Sequence, residues 1–332
     1  YRFGYFDEDL RFEELGETDE KETQITVLKA QNTWFYYDRS SGKYIYSNSD
    51  NGGTVVGCFH LLIDSFRRFD DAAEEAEEYD GGFVAWIDGE YQVRVGAYLS
   101  KEDALDAADE LGEGEVVGTS AYAVTVIQTG TDRVLFQFDG GEDLALGIMP
   151  DVTGEDEVRT WFQGYKYHGG FRYERIGGGD LTVVNIVDLE TYIKGVVPYE
   201  MSSSWPLEAL KAQAVVIRTN LLRKAMEYDG TDDWQQAAEK LQETDLEALG
   251  FTACTEETAA ELWNYENRER YLKKCRQAAE ETKGQMLALD GTLPDLPYHA
   301  VSAGKTRAGS ALGADYAYLT SVECENDLES AD

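Results

Sequence analysis

The run at 196–219 constrains this chain most, because it joins a stiff, proline-bearing turn to a long one-sided helix. Pro198 restricts the backbone just ahead of Tyr199 and Glu200. Ser202, Ser203 and Ser204 come next, and Pro206 suits a first helical turn, where a missing N–H leaves no bond unmade. Beyond it Leu207, Leu210, Ala214, Ile217 and Leu221 recur at spacings of three and four, which predicts a helix with one buried face. A lone carboxylate fixed on a turn before such a helix is how an acid catalyst is presented, since proton transfer needs a held geometry. Gln213 and Arg218 lie off the apolar stripe and are expected to share a cleft with Glu200.

The remainder reads as strands and helices in alternation, an α+β class, and 332 residues suffice for about two domains. Residues 1–53 alternate in the manner of strands, and their aromatic run from Trp34 to Tyr37 is read as core rather than as a sugar-stacking surface. Residues 54–128 predict the order βαββαβ. A strand at 54–63 leads to a helix capped by Ser65. A hairpin then turns at Asp88 and Gly89, a second helix is capped by Ser100, and a strand at 122–127 closes the unit. Residues 129–332 carry the Glu200 run and, at about 232–283, a charged helix-rich stretch whose Leu241, Ala248 and Leu262 are too sparse for a core. That stretch is expected to be a surface insertion.

Charge narrows the partners. With 65 acidic against 29 basic side chains the net charge is −36, which repels a polyanion laid along a broad surface and argues against nucleic acid. Cys58, Cys254, Cys275 and Cys324 form no close pair, and His60, His168 and His299 lie far apart, so neither a metal nor a cofactor is expected. A Cys254–Cys275 bridge is open if the segment folds back; buried thiols are the plainer reading. No apolar run reaches membrane length and no signal peptide is visible; with a start at Tyr1, the chain is read as a fragment that has lost a targeting or anchoring segment.

The 196–219 run closely resembles the SpoIID/LytB family, the stage II sporulation protein D type of peptidoglycan lytic transglycosylase. Phe171 to Tyr173 and the stretch from Leu181 to Gly195 are similar to the family's strand-rich approach to its catalytic turn. The run from Tyr298 to Thr306 resembles its second signature, a His-x-x-Ser-Gly-Gly motif, with Ala303 in place of the first glycine. The segment starting at Tyr318 is similar to the family's sequence beyond that signature. The resemblance implies a mixed, mostly antiparallel catalytic body with a long helix after the catalytic turn. It also implies cleavage of the MurNAc–GlcNAc bond of peptide-stripped glycan. Glu200 would protonate the glycosidic oxygen and then take a proton from the muramic 6-hydroxyl, giving a 1,6-anhydro end without activated water. Partial burial of Glu200 among Val197, Tyr199, Met201 and Trp205 is expected.

Gln213 would bond a sugar hydroxyl or acetamido group, with His299, Ser302, Lys305 and Thr306 on the opposite wall. Each muramic sugar carries a lactyl carboxylate, so Lys211, Arg218, Lys305 and Arg307 are the candidate cations. Arg218 is open between that role and a buried ion pair, and His299 between the wall and a satisfied core histidine. The run from Tyr91 to Ala104 is similar to the signature of SPOR domains, which implies an inserted module at 54–128 presenting Gln92, Arg94 and Tyr98 to a glycan strand. The implied partners are glycan strands, an N-acetylmuramoyl-L-alanine amidase and a membrane scaffold of sporulation engulfment, outside the cytoplasmic membrane. The alternative is a non-catalytic, LytB-like amidase enhancer or peptidoglycan binder.

Overall fold

The computed structural model describes residues 1–7, 11–18, 24–150, 159–162, 165–229, 268–299, 302 and 304–324. They fall into two units, Tyr1–Asp188 and Leu189–Asp332.

The first unit opens with β1 (Arg2–Phe6), β2 (Phe12–Glu17), β3 (Ile25–Lys29), β4 (Thr33–Asp38), β5 (Lys43–Ser47) and β6 (Thr54–Val56). Next come β7 (Phe59–Phe66), α1 (Phe69–Glu77), β8 (Gly82–Ile87), β9 (Glu90–Tyr98), α2 (Lys101–Leu111) and β10 (Glu115–Val117). It ends with β11 (Val124–Gln128), β12 (Val134–Asp139), β13 (Leu146–Met149), β14 (Arg159–Phe162), β15 (Tyr165–His168), β16 (Gly170–Arg175) and β17 (Leu181–Ile186). A seven-stranded sheet runs β10-β7-β9-β8-β12-β11-β3, a five-stranded one β17-β16-β13-β1-β2, and a three-stranded one β5-β4-β6. Only the β8–β12 pairing is parallel among the described strands. The fold is thus α+β and mostly antiparallel.

The βαββαβ order is present as β7-α1-β8-β9-α2-β10, and its strands lie in the order β10-β7-β9-β8 expected of a split βαβ unit. Local chemistry explains its turns. Asp88 and Gly89 both take positive φ, 49° and 91°, which a two-residue hairpin of this hand requires. Ser100 caps α2 by accepting from the Asp103 N–H at 3.1 Å. Three boundaries differ from expectation. The stretch at 54–63 is two strands in two sheets, β6 and the start of β7, broken at Gly57, where a Cβ would sit 2.0 Å from the Tyr98 carbonyl oxygen. Ser65 lies within β7 rather than capping α1. The closing strand is the short β10, while β11 pairs with β12 and β3.

Strand alternation then divides the large sheet into two covered faces. On one, Val84, Trp86, Val93, Phe136 and Phe138 pack with Ala72 and Ala76 of α1 and with Phe3, Leu146 and Ile148 of the five-stranded sheet. The Trp86–Phe138 and Phe3–Phe136 rings stack at 5.1 and 4.9 Å. On the other, Phe83, Ala85, Ile127 and Leu28 meet Phe35 and Val56 of the three-stranded sheet, with Tyr44 and Tyr46 at its margin. Of the aromatic run expected in the core, Phe35 is buried and Trp34 partly so, whereas Tyr36 and Tyr37 are 45% and 53% exposed.

That second face is the one expected to carry a glycan, and it is taken. Arg94 is 4% exposed. Its guanidinium donates to Gln92 Oε1, to Gln137 Oε1 at 2.7 Å and to the Gly118 carbonyl. Gln92 is spent on Arg94, and Tyr98 follows a register irregularity of β9 at Gly96, whose φ is 71°. The open platform is corrected for Arg94 and Gln92, which are held in an internal network, while Tyr98 is half-buried and packs with Leu61, Val95 and Ala104.

His60 belongs to this network. It is fully buried, with Nδ1 against the Gly96 carbonyl at 2.6 Å and Nε2 receiving Gln137 Nε2 at 3.0 Å; that amide nitrogen also donates to Thr125. Both ring nitrogens are satisfied only by the neutral imidazole. Burial first, and the Arg94 charge after it, lower its pKa to about 4. The unfolded chain therefore binds a proton that the fold refuses, so stability present above pH 6.5 is lost as pH falls from 6.5 towards 4. Between pH 7 and pH 5 the expected loss from this group is about 2 kcal/mol. Urea midpoints at the two values should show it, and His60→Gln should flatten the slope; an unchanged slope in that variant would remove His60 as the cause.

The second unit holds α3 (Leu189–Glu200), α4 (Leu207–Asp229) and α5 (Arg268–Glu281). Of the expected stripe Leu210, Ala214, Ile217 and Leu221 are fully buried and Leu207 partly, together with buried Ile193, Val196 and Val197 of α3. Cys275, Ala278 and Ala279 of α5 join them, so one face of this helix belongs to the core, where the sequence suggests a surface insertion. Its alanines give little sign of this in the sequence, because small residues bury little area each yet let helices approach closely. Leu241, Ala248, Cys254 and Leu262 lie outside the described residues.

Candidate active site

Glu200 is the last residue of α3, not part of an extended turn, with Pro198 inside the helix's final turn. The Met201 N–H caps that turn by donating to the Val197 carbonyl at 3.0 Å. The loop after it is tied down at 3.1 Å from the Trp205 N–H to the Ser202 carbonyl, and Lys274 of α5 donates to the carbonyls of Ser203 and Trp205. Glu200 is half-buried. Of its expected collar Val197 is buried, whereas Tyr199 and Trp205 are 46% and 48% exposed.

Gln213 and Arg218 do not share a cleft. Five residues apart on α4, they diverge by about 140° around the helix. Arg218 is 1% exposed and forms a two-pronged ion pair with Glu190 at the start of α3: Nε to Oε1 at 2.8 Å and Nη2 to Oε2 at 2.6 Å. Its Nη1 donates to the Gln285 carbonyl at 3.0 Å, and Glu190 also accepts from the Gly284 N–H. With its donors engaged inside the fold, Arg218 is corrected from ligand to clamp, the second of its two open readings. Lys211 is likewise held, by Glu208 at 2.8 Å and Glu281 at 2.6 Å. Those two carboxylates raise its pKa, Glu208 first.

Gln213 points instead to Tyr298. The chain after α5 is registered on α4 by Asn220, whose amide donates to the Leu296 carbonyl and accepts its N–H, both at 2.9 Å. Thr219 Oγ1 accepts the Leu287 N–H, and Arg223 pairs with Asp295 at 2.9 Å. Two residues past Leu296, Tyr298 then arrives beside Gln213 and the Glu200 carboxylate. Its phenol pKa is pushed far up, by burial first and by the hydrogen-bonding interaction with Glu200 second. Tyr192, one α3 face away from solvent, is raised by burial first and then by the charge of Glu200. The hydroxyl of Tyr192 is buried with no hydrogen-bond partner, whereas the Gln213 side chain lies close enough to the Tyr298 hydroxyl to lower its pKa. Glu200 and Gln213 thus neighbour Tyr298, and Glu200 raises the pKa of Tyr192 as well, so that among the described residues these are one carboxylate and three neutral polar groups.

The rest of the second signature is more open to solvent. His299, Lys305 and Arg307 are exposed and Ser302 is partly buried. Lys305 pairs with Glu323 at 3.4 Å, and Thr306 trades bonds with Val322, its N–H reaching the Val322 carbonyl at 2.8 Å. Among the described residues no group of three or more His, Cys, Asp and Glu is placed to hold a metal ion, and no helix is long and apolar enough to cross a membrane.

Residues 177–289 match the model of the family SpoIID, stage II sporulation protein. The chain is also 31% identical over 118 residues to an amidase enhancer of Bacillus subtilis (strain 168), covering 36% of this chain and 13% of that relative. These matches support the SpoIID/LytB family. An uncharacterized protein of Brachyspira hyodysenteriae (strain ATCC 49526 / WA1) is 44% identical over 69 residues, 20% of this chain and 18% of its own length. The chain thus aligns with less than a fifth of either relative. The SpoIID match contains α3, α4 and α5, and so Glu190, Tyr192, Glu200, Gln213 and Arg218. Tyr298 lies beyond it. Sequence reasoning assigns no role to Tyr192 or Tyr298, although both stand in the family-like runs. A tyrosine in an apolar helix face, and one beside the signature histidine, are the signals that point to them.

Proposed function

We propose that this protein takes part in sporulation cell-wall remodelling as a lytic transglycosylase on peptide-stripped peptidoglycan, with Glu200 as sole acid and base. The observation that supports this reading is Glu200 with the neutral neighbours Tyr298, Gln213 and Tyr192, the one carboxylate of that group among the described residues. A hydrolase of the usual kind needs two carboxyl groups, whereas an internal 6-hydroxyl nucleophile needs one. In the proposed step Glu200 gives its proton to the glycosidic oxygen, the C1–O bond breaks, and the muramic O6 bonds to C1. The O6 proton passes to Glu200, which ends as it began. With Arg218 and Lys211 engaged by carboxylates, any lactyl group is left to Arg307 or to Lys305, whose pair with Glu323 is long and exposed. His299 and Ser302 remain proposed wall residues on resemblance alone.

A second reading has its own support in the relative named amidase enhancer: a non-catalytic glycan binder acting with an amidase. Both place the protein outside the cytoplasmic membrane, with glycan strands as ligand and an amidase and membrane scaffold as partners. Digestion of denuded glycan, with the products read by mass spectrometry, separates them. The expected products carry 1,6-anhydro ends. Reducing ends would show that water is the nucleophile and end the one-carboxylate mechanism, and intact strands that nevertheless bind would favour the enhancer.

A further inference from the structure

Half of the aromatic run at 34–37 has no partner. Side chains alternate along β4, so Phe35 and Tyr37 face one way and Trp34 and Tyr36 the other. The first pair is used: Phe35 lies against the rings of Tyr44 and Tyr46 at 6.0 and 5.4 Å, and Tyr37 against that of Tyr44 at 5.2 Å. Among the described residues Trp34 and Tyr36 have neither a ring contact nor a side-chain hydrogen bond. The register sets Ser47 and Val55 beside Trp34, and Ile45 beside Tyr36, on that same outer face. Tyr36 is 45% and Ile45 39% exposed. Burial of Phe35 against the large sheet fixes this orientation, because a slip of one residue would send it to solvent.

Composition says what kind of surface this is. Of the 24 residues at 33–56, thirteen are Tyr, Ser, Gly or Asn, the combination of rigid aromatic contact and adaptable hydrogen bonding that recognition loops use. Their charges cancel, Arg39 and Lys43 against Asp38 and Asp50, so the whole excess of −36 lies elsewhere in the chain. A phosphate-bearing polymer or an anionic lipid surface finds no basic patch here. A protein partner needs more room: strands of this length, three abreast at about 4.8 Å, give a footprint of roughly 250 Å², against about 800 Å² on each side of a stable protein interface. An extended neutral sugar chain fits. Its pyranose rings lay flat C–H faces on aromatic rings, while its hydroxyls bond the Tyr36 phenol and water.

We propose that Trp34 and Tyr36, with Ile45 beside them, form a stacking shelf in the first unit for an extended β-1,4-linked glycan. Alternate residues of one strand stand about 6.6 Å apart in a nearly straight row, which a ribbon-like β-1,4 chain follows and a coiled α-1,4 chain does not. The shelf goes beyond the reading of Glu200 and needs no catalysis. It holds a strand whether or not that strand is cut, and a second holding point raises the local concentration of the same strand at any other site of the chain.

Hydroxyl-radical footprinting of the full chain with fully N-acetylated chitohexaose tests the shelf, with maltohexaose as the coiled neutral control. Chitohexaose is expected to protect Trp34 and Tyr36 from labelling, and maltohexaose to leave them as they are. Tyr36→Ala should raise the chitohexaose concentration that half-protects Trp34 by at least about fivefold, the scale of an aromatic anchor. Tyr36→Phe should keep most of the affinity, because the ring stays. Tyr36→Ala alters an exposed side chain and should unfold at the parent's urea concentration; Ile45→Glu, which sets a charge on the shelf, decides the matter if it does not. No protection of Trp34, equal protection by maltohexaose, or protection unmoved by both substitutions overturns the shelf. A dimer in sedimentation that Tyr36→Ala dissociates would make this face a contact between copies and overturn the glycan assignment. Anhydro products with Trp34 and Tyr36 unprotected defeat the shelf alone; protection without products defeats the transglycosylase reading alone.

Discussion

Glu200→Gln is expected to lower the rate of 1,6-anhydro end formation from denuded glycan by roughly 10³-fold, the scale of a lost general acid and base. That is about 4 kcal/mol of transition-state stabilisation. The substitution keeps shape and still offers Tyr298 an acceptor, so the unfolding free energy from urea titration should change by less than about 1 kcal/mol, as for a partly exposed polar change. Affinity for glycan should change little, because the amide still fills the same space. Glu200→Asp should fall between, since a carboxyl withdrawn by one methylene can still exchange a proton at poorer reach. Undiminished anhydro yield from Glu200→Gln would end the assignment of Glu200. A loss of yield matched by a collapse in stability would reassign it to the fold.

Much of this can be read along the chain, and what cannot shares one physical cause. Asp88-Gly89, the Ser100 cap and the buried stripe of α4 are set by neighbours within a few residues, and their chemistry is visible in a short window. The lone Glu200 is visible too. The role of Arg218 is not, because its partner Glu190 lies 28 residues earlier, and nothing in a helical period says which of two polar off-stripe residues turns inward. Tyr298 reaches the site only through Asn220, 76 residues before Leu296 in sequence. The face bearing Gln92 and Arg94 reads as open because strand alternation reports which residues share a side, not whether another sheet lies over it. Local pattern thus places the acid, and long-range pairing chooses its neighbours.

Arg218→Ala is expected to destabilise the fold by about 3–5 kcal/mol, the range for removing one member of a buried ion pair and leaving the other charge unmatched. The effect is this large because Arg218 is 1% and Glu190 14% exposed at the side chain, and because three guanidinium bonds end on two separate segments. Arg218→Lys keeps the charge but loses the planar fork, so it should recover only part of the loss. Arg218→Met combined with Glu190→Met should be nearer the parent than either single change, since no charge is then stranded. Urea unfolding of the parent, the two single Met variants and the double one gives the cycle. Activity should track stability, because Glu190 sits about 15 Å along α3 from Glu200 and fixes where that helix starts against α4 and the 284–285 turn. Should Arg218→Ala keep its unfolding midpoint yet lose glycan affinity, the guanidinium would be a ligand group after all, and the clamp would have to be found elsewhere on α3.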